Sequence, residues 1–211
     1  MKIAIIDYGI GNVRSILEAF KNQNSDVILT KDKDEILKSS GLVIPGVGSF
    51  SHGMENLINY GLDGVIKEYA IMDKPLLGIC LGMQLLFEES SEFGFTNGLG
   101  LISGKVNELP TKDNQYEKLP HVSWNEINSK KISWNNTILE DIDEGSDMYF
   151  VHSFAAEPND PDEILSLTEY SKHNFCSCVK RGNIYGCQFH PEKSGLMGLK
   201  IISNFISICY R

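Results

Sequence analysis

The chain has no apolar run long enough to cross a bilayer. Its opening strand signal, Ile3-Ala4-Ile5-Ile6, is far short of the ~20 residues a membrane helix needs, and too short for a secretory h-region. Positive charge is scarce: 19 Lys and Arg against 28 Asp and Glu give a formal net charge of −9, which argues against nucleic acid as a partner. The five cysteines, at 80, 176, 178, 187 and 209, make no even set. Cys176-x-Cys178 is one residue short of a C-x-x-C redox pair and predicts two strand residues on one face. Internal repeats, low-complexity segments and linkers are missing too. These absences predict a cytoplasmic protein with reduced thiols, no metal and no cofactor. A length of 211 residues and 42% hydrophobic content suit one domain over 1–211 with a single core.

What is present alternates between strand and helix, the pattern of an α/β domain with a largely parallel sheet. Strands are predicted at residues 2–6, 27–30, 42–44 and 75–79. Val13, Ile16, Leu17 and Phe20 recur at helical spacing, residues 34–39 form a short helical stretch, and residues 54–69 suit one amphipathic helix with Gly61 as its weak point. From about 99 to 188 the pattern turns to short strands and polar turns. Antiparallel hairpins are expected near 103–109, 121–127, 147–154, 164–170, 175–180 and 184–189. Residues 110–119 read as an exposed loop, and a last helix is expected near 198–209.

The most informative feature is Gly78-Ile79-Cys80-Leu81-Gly82, placed between the apolar run Pro75-Leu76-Leu77 and the amphipathic stretch Met83-Gln84-Leu85-Leu86-Phe87. Strand, glycine-flanked turn and helix form a nucleophile elbow, which lifts one side chain off the end of a buried sheet. Helix N–H groups and a cationic neighbour there favour thiolate over thiol. Downstream, Gly186-Cys187-Gln188-Phe189-His190-Pro191-Glu192 must be a strand end or loop, because Pro191 lacks a ladder donor. In extended chain His190 and Glu192 share a side, so the carboxylate can orient the imidazole toward a thiol. Cys80, His190 and Glu192 thus fit the Cys-His-acid logic of acyl transfer.

Pro45-Gly46-Val47-Gly48 follows a strand in the same half of the sheet. The N–H groups of Gly46, Val47 and Gly48, with that of Leu81, are natural oxyanion donors for such chemistry. Gly9-Ile10-Gly11-Asn12 resembles a dinucleotide fingerprint but has Arg14 at the third glycine's place, and reads as a tight functional loop. Tyr149-Phe150-Val151-His152-Ser153-Phe154 alternates like a strand whose polar positions line a pocket, with His152 by default a hydrogen-bonded structural histidine. His52 and His173 read as surface residues. Pro120-His121-Val122-Ser123-Trp124-Asn125 is either a buried turn or a contact surface.

Together these blocks, with Lys193-Ser194-Gly195 after the His-Pro-Glu, resemble the class I (triad) glutamine amidotransferases, in order and over nearly the whole chain. Within that family the chain is most similar to the glutaminase subunits of the histidine pathway. The resemblance implies a flavodoxin-like fold with a mostly parallel central sheet, flanking helices and an antiparallel C-terminal part. It implies hydrolysis of L-glutamine through a Cys80 thioester, with Gln84, Glu92, His152, Ser153 and Phe154 holding the substrate. It further implies ammonia delivery to a (β/α)₈-barrel cyclase subunit in a heterodimer, with Tyr8, Asn12, His121, Trp124, Asn125, Tyr149 and Lys193 near the interface. Two motifs depart from the family. Its usual Pro-His-Met-Gly-Trp-Asn has Val122 and Ser123 here, and its usual His-Ser-Tyr has Phe154. Three other readings stay open: a partner that amidates a nucleotide-linked sugar, a free-standing cysteine hydrolase, and a non-catalytic binding module.

Overall fold

The computed structural model of the chain describes residues 2–110, 118–129 and 132–211. Four short apolar runs form strands β1 (Ile3–Ile6), β2 (Val27–Thr30), β3 (Gly41–Ile44) and β4 (Leu76–Ile79), all parallel, with β1 between β2 and β3 and β4 beyond β3. β1, β3 and β4 are buried along their whole length, as unbroken apolar runs require when helices cover both faces of a parallel sheet. The crossovers run through α1 (Val13–Asn22), α2 (Lys33–Lys38), and the pair α3 (Phe50–Asn59) and α4 (Leu62–Ile71). Strand alternation divides the core in two. Ile3, Ile5, Val43, Leu77 and Ile79 pack against α1 and the C-terminal helix, whereas Ala4, Ile6, Leu42, Ile44 and Leu76 pack against α3 and α4.

After β4, α5 (Leu81–Gln84) makes one turn, and the chain becomes largely antiparallel. It runs through β5 (Glu89–Ser90), β6 (Thr96–Asn97), β7 (Gly104–Glu108), β8 (His121–Ser129), β9 (Ser146–His152), β10 (Phe154–Pro158), β11 (Ile164–Tyr170), β12 (His173–Arg181) and β13 (Ile184–Cys187) before α6 (Gly195–Cys209). One nine-stranded sheet has the order β2-β1-β3-β4-β13-β12-β11-β8-β9, and a four-stranded sheet has the order β10-β7-β5-β6. β13 is the seam of the large sheet: parallel to β4, with Gly186 opposite Gly78, and antiparallel to β12.

Several details differ from the sequence reading. The helix expected over 54–69 is two helices, because Gly61 takes a left-handed φ of +66° and restarts the chain as α4. The strand expected over 147–154 divides at Ser153, where the chain leaves one sheet for the other. A β-bulge in the β11–β12 pairing sends Cys176 and Cys178 to opposite cores instead of one face. The stretch after Cys80 is buried all round, so it is a core turn and not an amphipathic helix. Residues 191–193 form a 3₁₀ turn in place of extended chain, and the β5–β6 hairpin carries too little apolar pattern to be foreseen. The loop expected over 110–119 falls mostly outside the described residues.

Candidate active site

Cys80 stands between β4 and α5 with φ 54° and ψ −111°, a conformation side-chain-bearing residues rarely adopt. Such strain costs about 1–3 kcal/mol and is held here by surrounding structure. The Cys80 N–H donates to Cys187 O at 2.7 Å, tying the elbow to the seam strand. Glycines flank it for steric reasons. A Cβ on Gly82 would lie 1.9 Å from Ile44 O, and one on Gly78 would lie 2.5 Å from Gly82 O. With α5 only one turn long, what remains of the expected helix field is its free N–H groups rather than a macrodipole.

The base expected opposite this thiol comes from the other side of the seam. His190 is buried and its Nδ1 lies 2.9 Å from Glu192 Oε1, itself sealed from solvent. The 3₁₀ turn after His190 bends the carboxylate back onto the ring, so the pairing anticipated from alternation arises through a tight turn. His190 Nε2 makes no hydrogen bond of normal geometry and is enclosed. Burial opposes charge on this ring, but interaction with the Cys80 thiol and with Glu192 outweighs it and pushes the pKa up to about 10. The backbone is clipped as well: His190 N donates to Tyr149 O at 3.0 Å, and Ser194 Oγ donates to His190 O at 2.7 Å.

A cavity of about 190 Å³ opens onto Cys80, lined by Val47, Gly48, Leu81, Gln84, Glu92 and the 151–154 segment. All five residues expected to hold substrate, Gln84, Glu92, His152, Ser153 and Phe154, therefore meet at one place. Gln84 Nε2 donates to Phe154 O at 2.8 Å and to Gln188 Oε1 at 3.0 Å. Glu92 accepts the N–H of Phe50, the first residue of α3, at 2.7 Å; burial pushes its pKa up and that bond draws it back. The glycine-rich loop is braced from below by Tyr8, whose hydroxyl donates to Pro45 O at 2.6 Å. Burial drives the Tyr8 phenol well above its ordinary range, so it remains a donor.

Sequence reasoning missed Gln188, a fully buried side chain whose Nε2 points at Cys80 Sγ from 3.8 Å. Its position two residues before His190 was the available signal, since alternate strand residues share a face. Among the positions expected near an interface, Trp124 is exposed at 52%, Asn12 and Lys193 are exposed, and Tyr149 and Asn125 are half-buried. Trp124 and Lys193 both approach the Tyr149 ring, which itself lies beside His190. Tyr8 and His121 differ from that expectation: both are fully buried and face inward. His52 is exposed and His173 half-buried. A larger cavity of about 550 Å³ lies at the other end of β4, beside Pro75 and Asn183. Cys209 is the cysteine in its lining, and burial pushes that thiol far up, away from thiolate.

The class-I glutamine amidotransferase family model matches residues 4–209. The chain belongs to that family. This amidotransferase is 45% identical over 210 residues to the imidazole glycerol phosphate synthase subunit HisH 1 of Legionella pneumophila (strain Lens), covering 98% of this chain and 99% of that one. It is 44% identical over 205 residues to the HisH subunit of Lactococcus lactis subsp. lactis (strain IL1403), covering 97% and 98%. The amidotransferase fold is shared with the glutaminase domain of Trypanosoma brucei CTPS with bound acivicin, at a TM-score of 0.70, 16% identity and coverage of 100% and 94%. It is shared too with PurLQS from Thermotoga maritima, at a TM-score of 0.69, 18% identity and coverage of 99% and 97%. Among the described residues no group of three or more His, Cys, Asp and Glu side chains is arranged to hold a metal, and no helix is long and apolar enough to cross a membrane.

Proposed function

We propose that this amidotransferase hydrolyses L-glutamine to glutamate and ammonia and supplies the ammonia to a (β/α)₈-barrel cyclase that makes imidazole glycerol phosphate and AICAR in histidine biosynthesis. The observation that carries the chemistry is a strained cysteine opening onto a small, mostly apolar cavity that also presents Gln84, Glu92, His152 and Ser153, with a carboxylate-held imidazole at the end of the seam strand. Support for the destination comes from the full-length relatives, which are subunits of imidazole glycerol phosphate synthase.

In this reading the Cys80 sulfur attacks the side-chain amide carbon of glutamine. The tetrahedral oxyanion is met by N–H groups of the 46–48 loop and Leu81. His190, proton-bearing at neutral pH because its pKa is pushed up to about 10, gives that proton to the departing ammonia. Glu192 holds the ring by Nδ1 so that Nε2 faces the reacting atoms. Water, deprotonated by the now neutral His190, then cleaves the γ-glutamyl thioester and releases glutamate. Gln84, Glu92 and residues 152–154 bind the α-amino and α-carboxylate end. The exposed Trp124, Asn12 and Lys193, with Tyr149 and Asn125, form the docking face for the barrel beside His190.

The test is glutamate release by the chain alone, with a histidine-pathway cyclase barrel, and with that barrel plus its acceptor. Stimulation by barrel and acceptor is expected. Turnover that ignores the barrel would instead favour a partner that amidates a nucleotide-linked sugar or a free-standing hydrolase, and no glutamate under any condition would leave a binding module.

A further inference from the structure

Beneath the cavity lies a buried pair of histidines whose protons can be counted. His121 Nε2 lies 3.0 Å from Ser123 Oγ and 2.8 Å from Asn125 Oδ1, Ser123 Oγ also contacts that carboxamide oxygen, and Asn125 Nδ2 lies 3.5 Å from Glu169 O. His121 Nδ1 lies 3.2 Å from His152 Nε2, and His152 Nδ1 lies 2.8 Å from Phe154 O. The His121 ring is fully buried and held between Tyr170 and Phe150, with ring centroids 4.0 and 5.2 Å away, so it cannot turn to find other partners. A carbonyl oxygen only accepts, so His152 Nδ1 carries a hydrogen. In a neutral ring Nε2 is then an acceptor, which obliges His121 Nδ1 to donate to it. His121 Nε2 is left with a lone pair and needs a donor from outside. The one escape is a buried imidazolium, and burial pushes the pKa of both rings down, that of His152 to about 3. A carboxamide has the same shape either way round, and turning that of Asn125 over brings its NH₂ to the ring at the expense of only the long, 3.5 Å contact of Nδ2 with Glu169 O, so proton balance decides which end meets the ring.

We propose that the Asn125 amide, with the Ser123 hydroxyl beside it, supplies the one hydrogen that the outer nitrogen of His121 accepts, fixes both histidines in the Nδ1–H tautomer, and that the two so act as positioning residues for the glutamine cavity. The relay reaches the cavity through Phe154 O, which receives His152 Nδ1–H and also Gln84 Nε2–H. Gln84 in turn donates to Gln188, whose amide points at Cys80 Sγ. A tautomer change at His152 would set a lone pair against Phe154 O and loosen the carbonyl that anchors Gln84. The other titratable groups facing the pair are Tyr170, stacked on His121, and His190, beyond His152.

Long-range ¹⁵N–¹H correlation spectra of the intact chain at pH 7 test the tautomers. Both rings neutral with hydrogen on Nδ1 is the expected result; an Nε2–H tautomer or a charged ring overturns the proposal. The cavity role rests on the glutaminase reading and is tested by Cys80 alkylation with a diazoketone analogue of glutamine. Asn125→Asp replaces a donor with an acceptor and should raise the half-saturating concentration about tenfold, the worth of roughly one buried hydrogen bond, with the limiting rate within about twofold. The same variant should charge His121, and Ser123→Thr should keep wild-type saturation. Unchanged saturation in a folded Asn125→Asp, or equal losses in both variants, refutes the positioning role. If the wild type is not alkylated at all, the glutaminase reading fails while the spectra still judge the relay.

Discussion

The two halves of the large sheet divide the labour of the site. The parallel half, β2-β1-β3-β4, is made of four-residue strands, and its inner three are sealed on both faces. It delivers Cys80 and the 46–48 loop at its carboxyl edge, beside the cavity. The antiparallel half delivers His190 through the turn after β13, and the cavity-lining residues 152–154 through the break between β9 and β10. A rigid buried element suits a strained cysteine, because strain persists only where packing over-determines it. A bent, sheet-switching chain suits a pocket, because it can turn carbonyls and polar side chains inward while the flanking strands keep their ladders.

This division is sharpest in the two groups proposed to react. Cys80→Ala removes the atom that would form the thioester and should lower glutamate release by at least about 10⁴-fold. His190→Ala leaves a nucleophile without its proton carrier and should cost about 10²–10⁴-fold. Steady-state assay of both, alone and combined, reads their coupling. If they act as one unit across the seam, the double variant is scarcely worse than Cys80→Ala. Multiplied losses would mean that the two halves work independently, and comparable losses at Cys178 or Cys187 would mean that the nucleophile is misassigned.

A smaller effect separates glycines that brace the seam from those that do not. A Cβ on Gly82 meets the backbone oxygen of Ile44 at 1.9 Å, so Gly82→Ala must displace the end of β3, at a cost of about 1–3 kcal/mol or more in stability. Gly64, within α4, has open space around its Cβ position and an ordinary backbone; Gly64→Ala should stabilise by about 0.5–1 kcal/mol. Chemical denaturation distinguishes them, and equal effects would show that the elbow is not held by close packing.

Legibility in the sequence follows the same line. The parallel half could be read because its signals are local: unbroken apolar quartets, glycines around Cys80, and an amphipathic α1. The family blocks brought Gln84, Glu92 and residues 152–154 together with Cys80, although nothing local to Glu92 announces it. What escaped was set by tertiary context. Tyr8 and His121 carry the polar atoms of surface residues, yet their side chains spend those atoms on Pro45 O and His152 inside the fold. Gln188 was hidden in plain alternation, its role visible only once β13 lay beside β4. The bulge that parts Cys176 from Cys178 leaves no mark in residue spacing.

The gentlest probe of the comparison is pH. The folded-state pKa of His190, about 10, stands above the ~6.5 of an unfolded histidine. A group raised in this way favours the folded chain fully below about pH 6.5, and that contribution fades as pH rises through about 10. The unfolding free energy of the wild type should therefore decline between pH 7 and 10 by more than that of Cys80→Ala, in which burial still opposes the charge but the thiol no longer supports it. Urea titrations at several pH values measure both slopes, and the His190 ring resonances report the pKa directly. Parallel slopes and an unmoved His190 would mean that the imidazole takes its charge from Glu192 alone, within the antiparallel half, and that the seam is crossed only when substrate arrives.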